Sequence, residues 1–242
     1  MSNTIDTFSA EGVTGLDAYI RKVVDLSPIA YWPLSEPSGV VANDLMGLGN
    51  GAYSNVTLGQ TGIGDGRTSA LFNGTTSYCN IYSAALASAF NGAAGTISIW
   101  AKVSGAGAWA DGIHRVMLRL LADGNNYIDL AKSSAVNTLL VRYNSGAVLE
   151  SVTPTSFSPT TFFQVALTWN KAADEMKVFV NGIQSGITQT GLGIWAGAPA
   201  STTSNIGSSS TTPAAVWAGY IAHPAIWTRA LTPAEVATLA VV

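Results

Sequence analysis

Residues 219–236 constrain the fold more tightly than any other part of the chain. Gly219-Tyr220-Ile221-Ala222-His223-Pro224-Ala225-Ile226-Trp227 reads as an alternating apolar strand, and a helix start follows almost at once. Thr232 stands at the N-cap, Pro233 at the first helical position and Glu235 at the third. That is the spacing at which the two side chains of a capping box reach each other's backbone N–H groups. Leu231 and Val236 are placed for the hydrophobic staple that fixes the angle of entry. The spacing predicts a closing strand and a short C-terminal helix.

Between Pro28 and this run, strand patterns are punctuated by Gly, Asn, Ser and Pro. Ile97, Ile99, Ala101 and Val103 alternate with Thr96, Ser98, Trp100 and Lys102, so one face is apolar and the other mixed. Phe163, Val165, Leu167 and Trp169 repeat the pattern, as do Met176, Val178 and Val180. Asn181-Gly182 signals a two-residue hairpin, because both positions tolerate the positive φ of a type I′ turn. Asp123-Gly124 and Asn144-Ser145-Gly146 separate apolar segments at 118–121, 127–130 and 139–143, which predicts a three-strand meander. No repeat of solenoid or propeller period is present, and the strand spacing is that of a two-sheet sandwich. Residues 1–27 read as an arm ahead of it. Leu16, Tyr19, Ile20, Val23 and Val24 recur there at helical spacing, after a capping Thr14 and before a helix-stopping Pro28. This short amphipathic helix either docks on the sandwich or on a neighbouring subunit, or simply leads into the first strand. One sandwich over 28–242 suits the length of a single all-β domain.

Six short motifs stand in an order that carries a family resemblance. They are Ala30-Tyr31-Trp32-Pro33-Leu34 with its following loop through Asp44 to Gly51, Leu71-Phe72-Asn73-Gly74, Thr96-Ile97-Ser98-Ile99-Trp100, Val165-Ala166-Leu167-Thr168-Trp169, Val178-Phe179-Val180-Asn181-Gly182, and the closing strand and helix. In this order the chain resembles the laminin G-like (concanavalin A-like) jelly-roll family, of the kind found in phage virion and bacterial surface proteins. The resemblance implies an all-β, two-sheet antiparallel jelly-roll sandwich with an N-terminal arm and a short C-terminal helix. It also implies where calcium would bind: an aspartate of the opening loop, backbone carbonyls and acids of the penultimate strand. Asp44 matches the loop position, and Asn50 offers an oxygen of the hard type calcium prefers. The family's later Gly-x-Ile-Asp-Glu, however, reads Gly219-Tyr220-Ile221-Ala222-His223 here, so both acids are missing. Asp44 then competes with a plainer role, holding its turn by bonding the local backbone. No cofactor is expected.

Charge narrows the partners. Only 10% of residues are charged and the net charge is −3, far below the usual quarter. A surface of Ser, Thr, Asn, Gly and Ala meets little repulsion when copies approach, which suits packing against neighbours and equally a neutral secreted domain. Without a basic run, nucleic acid is not an expected partner. No apolar stretch is long enough to cross a bilayer. Met1-Ser2-Asn3-Thr4-Ile5-Asp6-Thr7 shows no basic-then-apolar leader, so the expectation is a protein made in a host cytoplasm and located in a virion. The single Cys79 excludes an internal disulfide.

Catalytic sets are sought and not found. Glycan hydrolysis in relatives of this fold uses a Glu-x-Asp-x-x-Glu arrangement, two carboxyls on one face. Glu11, Glu36, Glu150, Glu175 and Glu235 are the only glutamates, and none has an Asp two residues away with a further acid following. His114 and His223 lack a Gly-x-Ser-x-Gly partner and read as structural. Cys79 has no basic neighbour in sequence and reads as a small buried residue. Gly62-Ile63-Gly64-Asp65-Gly66 lacks the Gly-Lys-Ser/Thr end of a phosphate loop. The chain is therefore read as no enzyme.

Contact residues are the remaining candidates. Trp109, Trp195 and Trp217 lie in or beside Gly-rich loops. An exposed indole there stacks on a pyranose face, with Asp111 or Asn125 bonding hydroxyls, or it anchors a protein partner. Leu16, Tyr19, Ile20 and Val23 are the candidate subunit contacts. Trp32, Trp100, Trp169 and Trp227 sit inside strand patterns and read as filling the core or the sheet faces. The expected function is a non-enzymatic virion structural protein, a bacteriophage capsid-decoration or tail-associated protein that forms homo-oligomers and binds other virion proteins. The alternative is a carbohydrate-binding adhesion module for a cell-surface glycan. A glycoside hydrolase or lyase, third, has no carboxylate constellation behind it.

Overall fold

In the computed structural model, which describes residues 18–242, the three longest alternating segments become neighbours. β7 (Ala94–Val103) lies between β12 (Phe163–Asn170) and β16 (Ala218–Trp227). β13 (Glu175–Val180) and β14 (Ile183–Gln184) extend this sheet beyond β12, and β5 (Thr68–Asn73) and β4 (Thr57–Thr61) extend it beyond β16. The short β1 (Ala30–Tyr31) pairs with the end of β16. The second sheet runs in the order β11 (Val148–Val152), β10 (Leu139–Ser145), β9 (Asn126–Lys132), β8 (Arg115–Asp123), β15 (Asn205–Ile206), β6 (Tyr78–Asn80), β3 (Gly51–Ser54) and β2 (Val41–Ala42). Pairing between these strands is antiparallel throughout, and the chain crosses repeatedly between the sheets. This is the expected two-sheet jelly-roll sandwich.

The turns follow the residues that can enter the left-handed region. Asn181 and Gly182 have φ of 48° and 77°, as a type I′ hairpin requires. The turn expected at 144–146 falls one residue later, with positive φ at Gly146 and Ala147. The meander β8–β9–β10 forms as its segments predict.

Alternation decides what each face buries. Ile97, Ile99, Val165 and Leu167 of the first sheet share one core with Leu118, Leu120, Ile128, Leu130, Val141 and Tyr143 of the second. Trp32, Trp109, Trp169 and Trp217 belong to that core. The other face of the first sheet is covered. Trp100, Ala166, Phe179, Ala222 and Trp227 pack there against α1 (Ala18–Asp25) and α3 (Pro233–Leu239). α3 starts as expected: Thr232 Oγ1 accepts from the Glu235 N–H, Glu235 Oε2 accepts from the Thr232 N–H at 2.7 Å, and Leu231 and Val236 are buried. A third helix, α2 (Ala84–Ala89), is capped by Ser83 and sends Leu86 into the main core.

Two of the four candidate subunit contacts in the arm turn inward instead. Tyr19 and Val23 are buried against the chain's own first sheet, and Ile20 packs partly buried beside them. The Tyr19 hydroxyl donates to the Leu239 carbonyl at 2.8 Å and accepts from Trp100 Nε1 at 2.6 Å, which ties α1 to α3 and β7. The cause is that Trp100, facing outward from a central strand, needs both cover and a partner for its N–H. Leu16 and Thr14 lie outside the described residues. Among the described residues no helix is long and apolar enough to cross a membrane.

Candidate ligand-binding face

Among the described residues the outer face of the second sheet carries no helix, and the registers of its eight strands place one residue from each in a single row. Ser151, Arg142, Asp129, Arg119, Asn205, Asn80, Ala52 and Val41 are successive cross-strand partners from β11 to β2. Each lies one position from a residue of the buried face, so strand alternation turns all eight outward. Six of the eight are polar.

The centre of the row is charged. Asp129 is wholly buried between its two cross-strand neighbours, with Arg119 and Arg142 side chains 18% and 24% exposed. Arg119 grips it with Nε at 2.5 Å from Oδ1 and Nη2 at 2.6 Å from Oδ2, while Arg142 Nη2 lies 2.5 Å from Oδ2. Burial lowers the Arg119 pKa, but the hydrogen bond and charge of Asp129 outweigh it and hold the group above its usual value. Both guanidinium groups stand over Tyr127, which neighbours them on β9, at 5.9 and 5.4 Å from the ring centroid. His114 senses the same charges. Burial pushes its pKa down, Asp129 opposes, and Arg142, Arg119 and Lys132 push it further down, so it stands neutral near pH 7.

Farther along, amides replace charges. Asn80 Nδ2 donates to Asn205 Oδ1 at 3.1 Å and to the Ser201 carbonyl at 2.7 Å. The Tyr82 N–H donates to Asn80 Oδ1 at 3.2 Å. Tyr78 precedes Asn80 at the same strand parity and is half-buried, and Tyr82 is exposed. The other end of the row, Ser151, lines a cleft of about 220 Å³ with Val152, Pro154, Ser185, Ile187 and Gln189.

Two of the three tryptophans singled out from sequence are not there. Trp109 and Trp217 are fully buried in the core, with Trp109 Nε1 donating to the Pro159 carbonyl and its ring meeting Phe157, Phe163 and Trp217. Their Gly-rich neighbours suggested exposure, but packing from distant segments encloses them. Trp195 is half-buried and turned inward, its ring stacked on Tyr143 and edge-on to Phe90. Asp111 is committed elsewhere. It takes Lys132 Nζ at 2.6 Å and Arg115 Nη2 at 2.8 Å. Burial raises its pKa, yet the Lys132 hydrogen bond, the Ile113 N–H and Arg115 bring it down to about 2. Asn125 is exposed at the β8–β9 turn.

The calcium candidate resolves into a turn anchor. Asp44 accepts four backbone N–H groups, from Tyr31, Met46, Leu48 and Gly49, at 2.8–3.0 Å, and Asn50 Oδ1 accepts the Asp44 N–H at 2.9 Å. Oxygens so engaged are already hydrogen-bonded, and among the described residues no group of three or more His, Cys, Asp and Glu is placed to hold a metal. His223 instead meets an acid from the 62–66 loop, its Nε2 3.0 Å from Asp65 Oδ2 and its Nδ1 2.7 Å from the Tyr31 hydroxyl. Both side chains are enclosed, so this pair is part of the fold.

Sequence reasoning missed the row because Arg119, Asp129 and Arg142 each read as the polar side of a meander strand. The available signal was confined to single strands, Tyr127 and Asp129 sharing the polar side of β9.

A family model described as the concanavalin A-like lectin/glucanases superfamily, a laminin G type, matches residues 51–237. No curated protein matches the sequence. Solved structures share the fold. Domain 4 of AbnA, a GH43 extracellular arabinanase from Geobacillus stearothermophilus in complex with arabinotriose, superposes with a TM-score of 0.58 at 18% identity, covering 88% of this chain and 98% of that one. Trypanosoma rangeli sialidase in complex with sialic acid gives 0.64 at 14% identity, over 87% of this chain and 32% of that one. The botulinum neurotoxin serotype D binding domain gives 0.60 at 13% identity, over 88% and 51%. The chain thus spans about a third of the sialidase and half of the toxin domain.

Proposed function

The chain belongs to the concanavalin A-like lectin/glucanase superfamily, and from that premise we propose that it is a non-catalytic carbohydrate-binding module. Its glycan lies along the row on the uncovered sheet. The observation that carries this reading is the row itself: Ser151, Arg142, Arg119 and Asn80 reach the surface from four strands, with the buried Asp129 and Asn205 holding them from beneath, flanked by Tyr78, Tyr82 and Tyr127, on a face that no helix covers among the described residues. Sugar recognition needs that combination, directional groups for hydroxyls and flat apolar faces for the ring. The AbnA domain with arabinotriose matches almost end to end and supports the same class of role. The non-catalytic part of the proposal is supported by acids that are already engaged: Asp129 by two arginines, Asp111 by Lys132 and Arg115, Asp65 by His223, Glu235 by Arg229 and Thr232. Asp111 and Glu235, each brought down to about 2 by its cation and hydrogen-bond partners, make poor general acids.

The test is a glycan-array screen of the full chain beside a Tyr127→Ala variant. Binding of at least one oligosaccharide class, weakened about tenfold or more by the substitution, is expected. Release of reducing ends from any bound glycan, abolished by changing one acid, would replace this reading with an enzymatic one.

A second reading, a structural role in a particle such as a virion, has one observation in its favour. Ile183, Ile187 and Ile194 are 75–79% exposed, and Val148 and Leu149 of β11 are 38% and 49% exposed. Exposed apolar residues that cluster mark protein contact surfaces.

A further inference from the structure

Resting on the glycan-binding reading, we propose that the face selects acidic saccharides and that Arg119 and Arg142 form the subsite for a sugar carboxylate. Two guanidinium groups share one carboxylate, Asp129, so the cluster holds one positive charge without a partner. Hydrogen bonds tell the same story. An arginine carries five N–H donors. Arg119 commits two to Asp129 and Arg142 commits one, and neither makes another hydrogen bond among the described residues.

Arg142 Nε is buried, so the donors open to a ligand are those of the Nη groups, and these are held in place. Asp129 is buried and clamps both groups from below, and Tyr127 packs against both. A planar fork fixed in advance loses little freedom on binding, and its geometry fits a carboxylate bidentately. A sugar hydroxyl fills a donor but leaves the charge uncompensated; a carboxylate does both. Asp111 is likewise engaged, bound by Lys132 and Arg115 in a second set with one cation in excess. The surplus is local, since the whole chain carries −3. That pattern fits a single placed anion on a saccharide, not a polyanion held by a long basic stripe.

Calorimetric titration of the full chain decides it, with tri-galacturonate, its methyl ester, 3′-sialyllactose and neutral arabinotriose as probes. The free acid is expected to bind about tenfold or more tightly than its ester. Salt raised from about 0.05 to 0.5 M is expected to weaken the acid more than the ester. Arg142→Gln leaves Asp129 paired with Arg119 and is expected to weaken the acid more than the ester, so that most of the preference is lost. Arg142→Lys, which keeps the charge without the fork, is expected to fall between them and guards against a folding defect. Binding of sialyllactose that is lost in Arg142→Gln also supports a carboxylate subsite. Equal affinity for acid and ester, with neutral sugars bound, overturns the inference and leaves the glycan reading intact. Silence from all four saccharides overturns both.

Discussion

His223 occupies a backbone position few residues tolerate, with φ of 54° at the bulge between Ala222 and Ala225 of β16. The bulge turns its ring into a closed space between Tyr31, Asp65 and the edge of Tyr19, 4.6 Å away. Burial pushes its pKa below the ordinary 6.5, and the pairing with Asp65 offsets part of that. The unfolded chain therefore takes up a proton near pH 6.5 while the folded ring stays neutral. More protons on the unfolded state means that stability rises with pH through this window and is lost as pH falls below about 6.5. Asp65 acts in the same direction lower down: burial raises its pKa, but the His223 hydrogen bond and charge bring it below 3.8. Tm is expected to drop between pH 7 and 5. His223→Asn, which tolerates the left-handed backbone, should flatten that slope while lowering Tm at pH 7. A flat wild-type profile would contradict a buried neutral ring. Tyr19→Phe is a cleaner probe. It strands the Trp100 N–H and the Leu239 carbonyl, and should cost about 1–3 kcal/mol in denaturant titrations.

Among elements, α3 was the most legible in the sequence, because every signal for it sits within six residues of Thr232. Thr232→Ala removes one half of the box and should lower stability by about 1 kcal/mol, measured by urea unfolding. β7, β12 and β16 were legible for a related reason: alternation is local, and only its partner strand is not. Burial of Trp109 was not legible, since it depends on Phe157 and Phe163 fifty residues away. The ligand-binding row was still less so, as nothing in 119, 129 or 142 announces which strands will pair. α1 shows the same limit. Its stripe was plain, but which surface would receive it turned on Trp100. Deleting residues 1–27 uncovers Trp100, Ala166 and Phe179, and should cost on the order of 3 kcal/mol while leaving the oligomeric state as in the full chain. A truncated protein that unfolds at the same denaturant concentration would show that α1 adds nothing to the fold.

At the scale of the molecule, a covered sheet and an uncovered sheet give it two unlike surfaces, joined at the apolar edge of β11 and β14. If that edge packs against other copies, light scattering should report oligomers at roughly micromolar concentration. Ile187→Lys with Ile194→Lys should then return them to monomers. A full chain that stays monomeric throughout would remove the argument for a particle role. The eight-strand row has a consequence of a different kind. Its members run from Val41 to Asn205, and only the β8–β11 meander and the β2–β3 pair keep chain order in space. Recognition is therefore distributed: a peptide copied from any stretch of this sequence holds at most a fragment of the surface. A one-residue slip of any strand would also turn its contribution into the core. Ligand binding would thus report on the registration of a whole sheet, making it a stricter assay of correct folding than solubility or secondary-structure content.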